Sequence, residues 1–194
     1  MVRLYTALLI ALAVVLLSMP GIARADLIFA AQLSGAGENP PTASLALGTA
    51  TFTLNSAATE IDFTISFGAN VGSPPLTSSL VAGHIHVGAL GTNGPVILPF
   101  PNLPAGSTSG TFSGALTAAN LTPAGPITSF ADAVAALEAG NTYANLHTTN
   151  FGGGEIRGQI AAAPVPELGS LTLLGIGILG LFGYAQRCRL RVTA

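Results

Sequence analysis

Residues 49–67 read TATFTLNSAATEIDFTISF, and the alternation in this stretch decides the fold. Ile61, Phe63, Ile65 and Phe67 fall on one side of an extended chain, and Glu60, Asp62, Thr64 and Ser66 on the other. Successive side chains of a strand point to opposite faces, so this period of two marks a half-buried antiparallel strand. Just upstream, Ala50, Phe52 and Leu54 alternate with Thr51 and Thr53. The polar link 55–59 between the two runs predicts a hairpin.

The same pattern extends in both directions. Further strands are predicted at Leu27–Leu33, Leu80–Val87, Pro95–Phe100, Ser109–Thr117, Asn141–His147 and Glu155–Ala161, separated by Gly, Pro, Asn and Ser. One helix interrupts the series at SFADAVAALEAG, residues 129–140. Ser129 and Asp132 have capping-box spacing, which lets the carboxylate reach back to free backbone N–H groups. Phe130, Val134 and Leu137 form one apolar stripe, and Gly140 suits the helix end. The expected class is all-β, an antiparallel β-sandwich or flattened barrel. One short helix is expected to cover an edge or opening of it.

The two ends of the 194-residue chain are different in kind. Hydrophobic residues make up 49% and charged residues 7%, but the apolar runs concentrate at the termini. At the front, Arg3 precedes the apolar run Leu4–Leu17, and Ala23 and Ala25 stand where signal peptidase reads small residues. Residues 1–25 are therefore expected to be a signal peptide, cleaved after Ala25. At the back, Pro164 and Pro166 open a stiff linker. Leu168–Ala185 is an uncharged stretch close to the shortest length that spans a bilayer as a helix. Arg187, Arg189 and Arg191 follow, so the body faces outward from the inner membrane. The domains expected are thus 1–25, 26–163 and 164–194.

Charge excludes one class of partner. The chain has no lysine, and Arg157 is the body's one basic residue. Against it stand eight acids from Asp26 to Glu167, a net charge of −7. Such a surface cannot neutralise a phosphate backbone, so no nucleic-acid binding is expected. Cys188, the lone cysteine, lies beyond the span, so the body has no disulfide and must rely on packing. Asn120-Leu121-Thr122 fits a glycosylation pattern, but Pro123 follows and no role is assigned to it.

The histidines are the candidate chemistry. His84 and His86 lie two apart on a predicted strand and share a face. Val81, Ile85 and Val87 are expected on the opposite face. His147 shares a face with Tyr143 and Asn145 on another strand. If the two strands are neighbours, three imidazoles converge, a donor set that suits zinc or copper. Glu38 or Glu155 could then add a carboxylate or orient a ligand. A structural reading stands beside this one. The pair on the outer face of a sheet could bond to the following loop GTNGP, or to Glu155 and Arg157, which themselves could brace the last strand. No cofactor is required by the sequence, and zinc or copper is the alternative. No nucleophile elbow, phosphate loop or exported cysteine nucleophile is present, and the glycines of FGGGEIRG lead into a strand. An enzyme is not expected.

The tail resembles the PEP-CTERM sorting signal of Gram-negative bacteria. The matching residues are Val165, Pro166, Glu167, Gly169 and Ser170, then the Leu/Gly-rich helix, then Arg187, Arg189 and Arg191. Leu168 stands where the family usually has Pro. The resemblance implies processing by an exosortase-type membrane protease near Pro166-Glu167, with Glu167 as the recognised acid. It also implies delivery to the cell surface or an exopolysaccharide matrix.

The body resembles the chordin-type (CHRD) domain from about Phe29 to Ile160. The blocks LSGAGENPPTASLALGTATFTLN, HIHVGALGTNGPVILPF, SGTFSGALTAANLT and NTYANLHTTNFGGGEIRGQI carry the likeness. Glu38-Asn39-Pro40-Pro41 stands where the family usually shows Glu-Val-Pro-Pro. The resemblance implies an exported β module and names no catalytic activity. His-x-His with a late Gly-Gly-x-x-Arg is also similar to Cu/Zn superoxide dismutase. That family needs a larger histidine set and an aspartate, and three histidines cannot fill both of its sites. Dismutase activity is not expected; a distant architectural similarity is left open as part of the alternative, metal-binding reading.

Overall fold

The computed structural model describes residues 25–163 and 176–177. Nine strands are present in the body: β1 (Leu27–Ser34), β2 (Leu47–Leu54), β3 (Ile61–Phe67), β4 (Leu80–Val87), β5 (Val96–Pro99), β6 (Gly110–Leu116), β7 (Thr142–Thr148), β8 (Ile156–Gln159) and β9 (Ala161–Ala162). One α-helix, α1 (Phe130–Glu138), lies between β6 and β7.

The opening stretch forms the predicted hairpin. β2 and β3 pair antiparallel, with Phe52 opposite Phe63, Ala50 opposite Ile65 and Leu54 opposite Ile61. Asn55 ties the turn: its Oδ1 accepts from the Thr59 amide at 2.9 Å, and its carbonyl accepts from the Ala58 amide. Short polar side chains that bond nearby backbone favour turns for this reason. Ala50, Phe52 and Leu54 of β2 and Ile61, Phe63, Ile65 and Phe67 of β3 are buried, while Asp62 and Thr64 stay exposed.

Pairing continues through the whole sheet in the order β5-β4-β7-β8-β1-β2-β3-β6, with β9 added against β1. Every strand pair is antiparallel. The sheet curls into a nearly closed barrel. Phe100, just past β5, packs on Phe63 and Phe112 of β3 and β6, with ring centroids 4.9 and 6.1 Å apart. The start of β4 also meets the approach to β6, through Leu80 N–H to Ser107 O at 2.9 Å and Gly106 N–H to Leu80 O at 2.8 Å. Of the two expected forms, sandwich or flattened barrel, a barrel is observed, nearly closed.

Helix α1 begins where expected. Ser129 Oγ accepts from Asp132 N–H, and Asp132 Oδ2 accepts from Ser129 N–H at 2.8 Å. Phe130, Ala133, Val134 and Leu137 enter the same apolar core as the strands. Gly140 follows with φ 70°, the left-handed conformation that ends helices.

Two strands depart from the reading. β4 carries an irregularity between Leu80 and Ala82, so Val81 is thrown outward and half exposed instead of sharing the inner face. The last predicted strand is broken at Ile160, whose amide turns to Thr142 O, giving β8 and the short β9.

Contacts divide the chain after Ala162, and in the second unit the described residues Ile176 and Gly177 are helical. Among the described residues no helix is long and apolar enough to cross a membrane. The expected signal peptide, except its last residue Ala25, lies outside the described residues, as does Ala23. So do Val165, Pro166, Glu167, Gly169, Ser170, Arg187, Arg189, Arg191 and all of the 168–185 span but 176–177.

Candidate metal centre

β4 and β7 are neighbours, and their register puts His84 opposite Asn145 and His86 opposite Tyr143. His147 sits opposite Ala82, two positions along β4 from His84. All three histidines therefore share the outer face of this sheet segment and converge there. Ring centroids are 5.0 Å apart for His84–His147, 5.7 Å for His84–His86 and 5.8 Å for His86–His147. One ring nitrogen from each lies within 4.8 Å of the other two.

This outer face is largely covered, with only His84 of the three half-exposed. His86 and His147 are each 8% exposed, and every residue of β7 is buried on both sides. Loops cover it. The loop after β4 brings the Gly94 carbonyl to His86 Nδ1 at 2.9 Å, and the loop after β7 brings the Gly152 carbonyl to His147 Nδ1 at 3.0 Å. The predicted bond from His86 to the GTNGP loop is thus present. Gly94 is required there, because a Cβ at that position would run into the Val87 carbonyl.

These two bonds fix the chemistry of the rings. A carbonyl oxygen only accepts, so Nδ1 of each ring carries the proton. In a neutral imidazole the other nitrogen then presents its lone pair. His86 Nε2 and His147 Nε2 are buried with no hydrogen-bond partner, and so is His84 Nδ1. Buried polar atoms ordinarily find partners, so three unpartnered ring nitrogens in one cluster, with Asn145 Oδ1 and Glu38 Oε1 also unpartnered, call for an explanation. The surroundings hold the rings neutral. Burial, with His147 and His86 nearby, pushes the His84 pKa down to about 4. Burial also lowers the His86 and His147 pKa values, against the opposing pull of their carbonyl partners.

A metal ion fits this arrangement. Imidazole nitrogens bind zinc at about 2.0–2.1 Å, which sets ligand nitrogens roughly 3.3–3.6 Å apart. The ring nitrogens of the triad lie within 4.8 Å of one another, so a bound ion would draw them closer together. Carbonyl acceptors on the far nitrogen are also the usual way a protein orients a metal-bound histidine.

Tyr143 and Arg157 extend the site sideways. Tyr143 stacks on His86 with centroids 4.8 Å apart and planes 8° from parallel. The Arg157 guanidinium lies 3.3 Å from the centre of the Tyr143 ring. Arg157 also donates to Asn93 Oδ1 at 3.0 Å and to the Thr92 carbonyl at 2.7 Å, which pins the covering loop. Sequence reasoning placed Tyr143 on the histidine face but missed this stack and the Gly152 carbonyl.

The two carboxylates do not join the triad. Glu155 is fully buried and accepts four hydrogen bonds, from Ser44 Oγ, Thr77 N–H, Thr77 Oγ1 and Thr148 Oγ1, at 2.6–3.0 Å. It is a structural anchor between distant segments. Neither the metal role nor the pairing with Arg157 applies, because its position just ahead of β8 sends it to a different set of donors. Glu38 meets Asn145, whose Nδ2 donates to Glu38 Oε2 at 3.4 Å. Gly154, with φ 123°, lies so close to both that a Cβ would overlap them. Burial pushes the Glu38 pKa up to about 7, with Arg157 and Asn145 opposing.

A family model described as the CHRD domain matches residues 29–160. No curated protein matches the chain.

Proposed function

The chain belongs to the CHRD domain family, and on that premise we propose an exported, non-enzymatic β module that holds one transition-metal ion between His84, His86 and His147. The observation that carries the metal reading is the trio of buried, unpartnered ring nitrogens on one face. Zinc and copper are the ions that imidazole donors suit. The non-enzymatic reading rests on family membership and on the loops that close the face. Export rests on the sequence of the two ends. Signal peptidase removes residues 1–25, the C-terminal helix holds the chain at the inner membrane, and an exosortase-type protease acts near Glu167. The module then reaches the cell surface or an exopolysaccharide matrix.

The test is elemental analysis of full-length protein, purified in detergent without a histidine tag. One equivalent of zinc or copper per chain is expected, with less than a tenth of that in His86→Ala. Metal content that His86→Ala leaves unchanged would exclude the triad.

A further inference from the structure

The triad also says which ion it holds. Resting on the reading of these histidines as a metal centre, we infer that it is a closed, three-coordinate site for copper in its monovalent state. Three observations lead there.

The first is ligand number. Among the described residues, the group of potential ligands is His84, His86 and His147 alone, with no carboxylate or thiolate in it. Structural zinc sites are almost always four-coordinate, with four protein ligands. Glu155 is committed to four donors elsewhere, and Glu38, whose Oε1 has no hydrogen-bond partner, lies outside the group within 4.8 Å.

The second is closure. A zinc site with three protein ligands completes its shell with water or substrate, which needs an open position. The three unpartnered nitrogens each expose less than 1 Å². The loop carbonyls of Gly94 and Gly152 hold the opposite nitrogens of His86 and His147, and His84, the third ring, is half-buried. Monovalent copper has a filled d shell and is stable with three trigonal ligands and no water.

The third is charge. All three ligands are neutral, and the nearest cation is built in. β7 lies between β4 and β8, so Tyr143 has His86 on one side and the Arg157 guanidinium on the other. Arg157 is 2% exposed. The counter-charge facing it is Glu38, which is itself buried. At equal distance a fixed positive charge repels a divalent ion twice as strongly as a monovalent one. Arg157 is thereby a selectivity residue that acts across the Tyr143 ring.

The experiment is an anaerobic competition on the full chain in a Cys188→Ser background, which removes the one thiol that also binds copper. Copper is supplied as its monovalent acetonitrile complex against a chromogenic chelator, and zinc by calorimetry. One equivalent of monovalent copper is expected, bound at least 100-fold more tightly than zinc and lost in His86→Ala and His147→Ala. Arg157→Met is expected to narrow that ratio at least tenfold, and Arg157→Lys to preserve it. Zinc binding equal to or tighter than copper overturns the assignment of the ion while leaving the metal centre standing. Failure of both ions to bind, or binding indifferent to the histidine variants, overturns the metal centre itself. Because the wild-type ratio alone decides between the ions, the inference stays testable even if Arg157→Met fails to fold.

Discussion

Burial and the crowding of the three rings set a pH dependence that belongs to single residues. His84 is pushed from 6.5 to about 4, and His86 and His147 are pushed the same way. Between about 4 and 6.5 the unfolded chain therefore binds more protons at His84 than the folded one, and below 6.5 the same holds in direction for His86 and His147. Stability from the histidines is complete above 6.5 and is lost as pH falls toward 4. Glu38 works in the opposite sense. Its pKa rises from 4.5 to about 7, so the folded state holds the extra proton and stability falls as pH climbs through that window. His84 and Glu38 oppose each other over this window, and the lowered pKa values of His86 and His147 tip the balance to a gain from pH 4.5 to 6.5 in metal-free protein. Urea midpoints measured with a chelator present are expected to be higher at pH 6.5 than at pH 4.5, and more so in Glu38→Gln. A midpoint that is flat or falls over this range would contradict the burial of neutral rings.

At the scale of elements, capping and pairing make separate predictions. The Ser129 hydroxyl accepts from the Asp132 amide at the start of α1. Ser129→Ala is expected to cost about 1 kcal/mol, the usual loss for an N-cap. Thermal unfolding checks it, and a change below a few tenths of a kcal/mol would show that the box contributes little. How much was legible also varies by element. The β2–β3 hairpin was readable because its signal is local: alternation on both strands and a polar turn of the right length. β4 was placed at its true bounds, yet its irregularity at Val81 was not visible, since the shift arises from pairing with β7 some sixty residues downstream. Likewise the convergence of His147 on His84 and His86 required that β4 and β7 be neighbours, which spacing alone does not determine. The covering of that face was the least legible feature. The loops that do it are rich in Gly and Asn, a composition that reads as exposed turn. What docks them is long-range: Arg157 holding Thr92 and Asn93, and Glu155 tying Ser44, Thr77 and Thr148 together.

At the scale of the whole molecule, a disulfide-free barrel must close its apolar interior by packing. Aromatic rings at the seam between β5 and β6 do this, with Phe100 set among Phe52, Phe63 and Phe112. The proposed sorting role of the tail makes a separate prediction, about the destination of the chain. Deleting Leu168–Ala194 is expected to leave the body in the periplasm, read by fractionation and surface labelling. Surface display of the truncated chain at the normal level would contradict the sorting role. The central claim remains the ion between β4 and β7, and anomalous diffraction from crystals grown with copper tests it most directly. One peak is expected, about 2.0 Å from a ring nitrogen of each of His84, His86 and His147. Crystals with no peak at the triad, or with copper bound only elsewhere on the chain, would contradict the account.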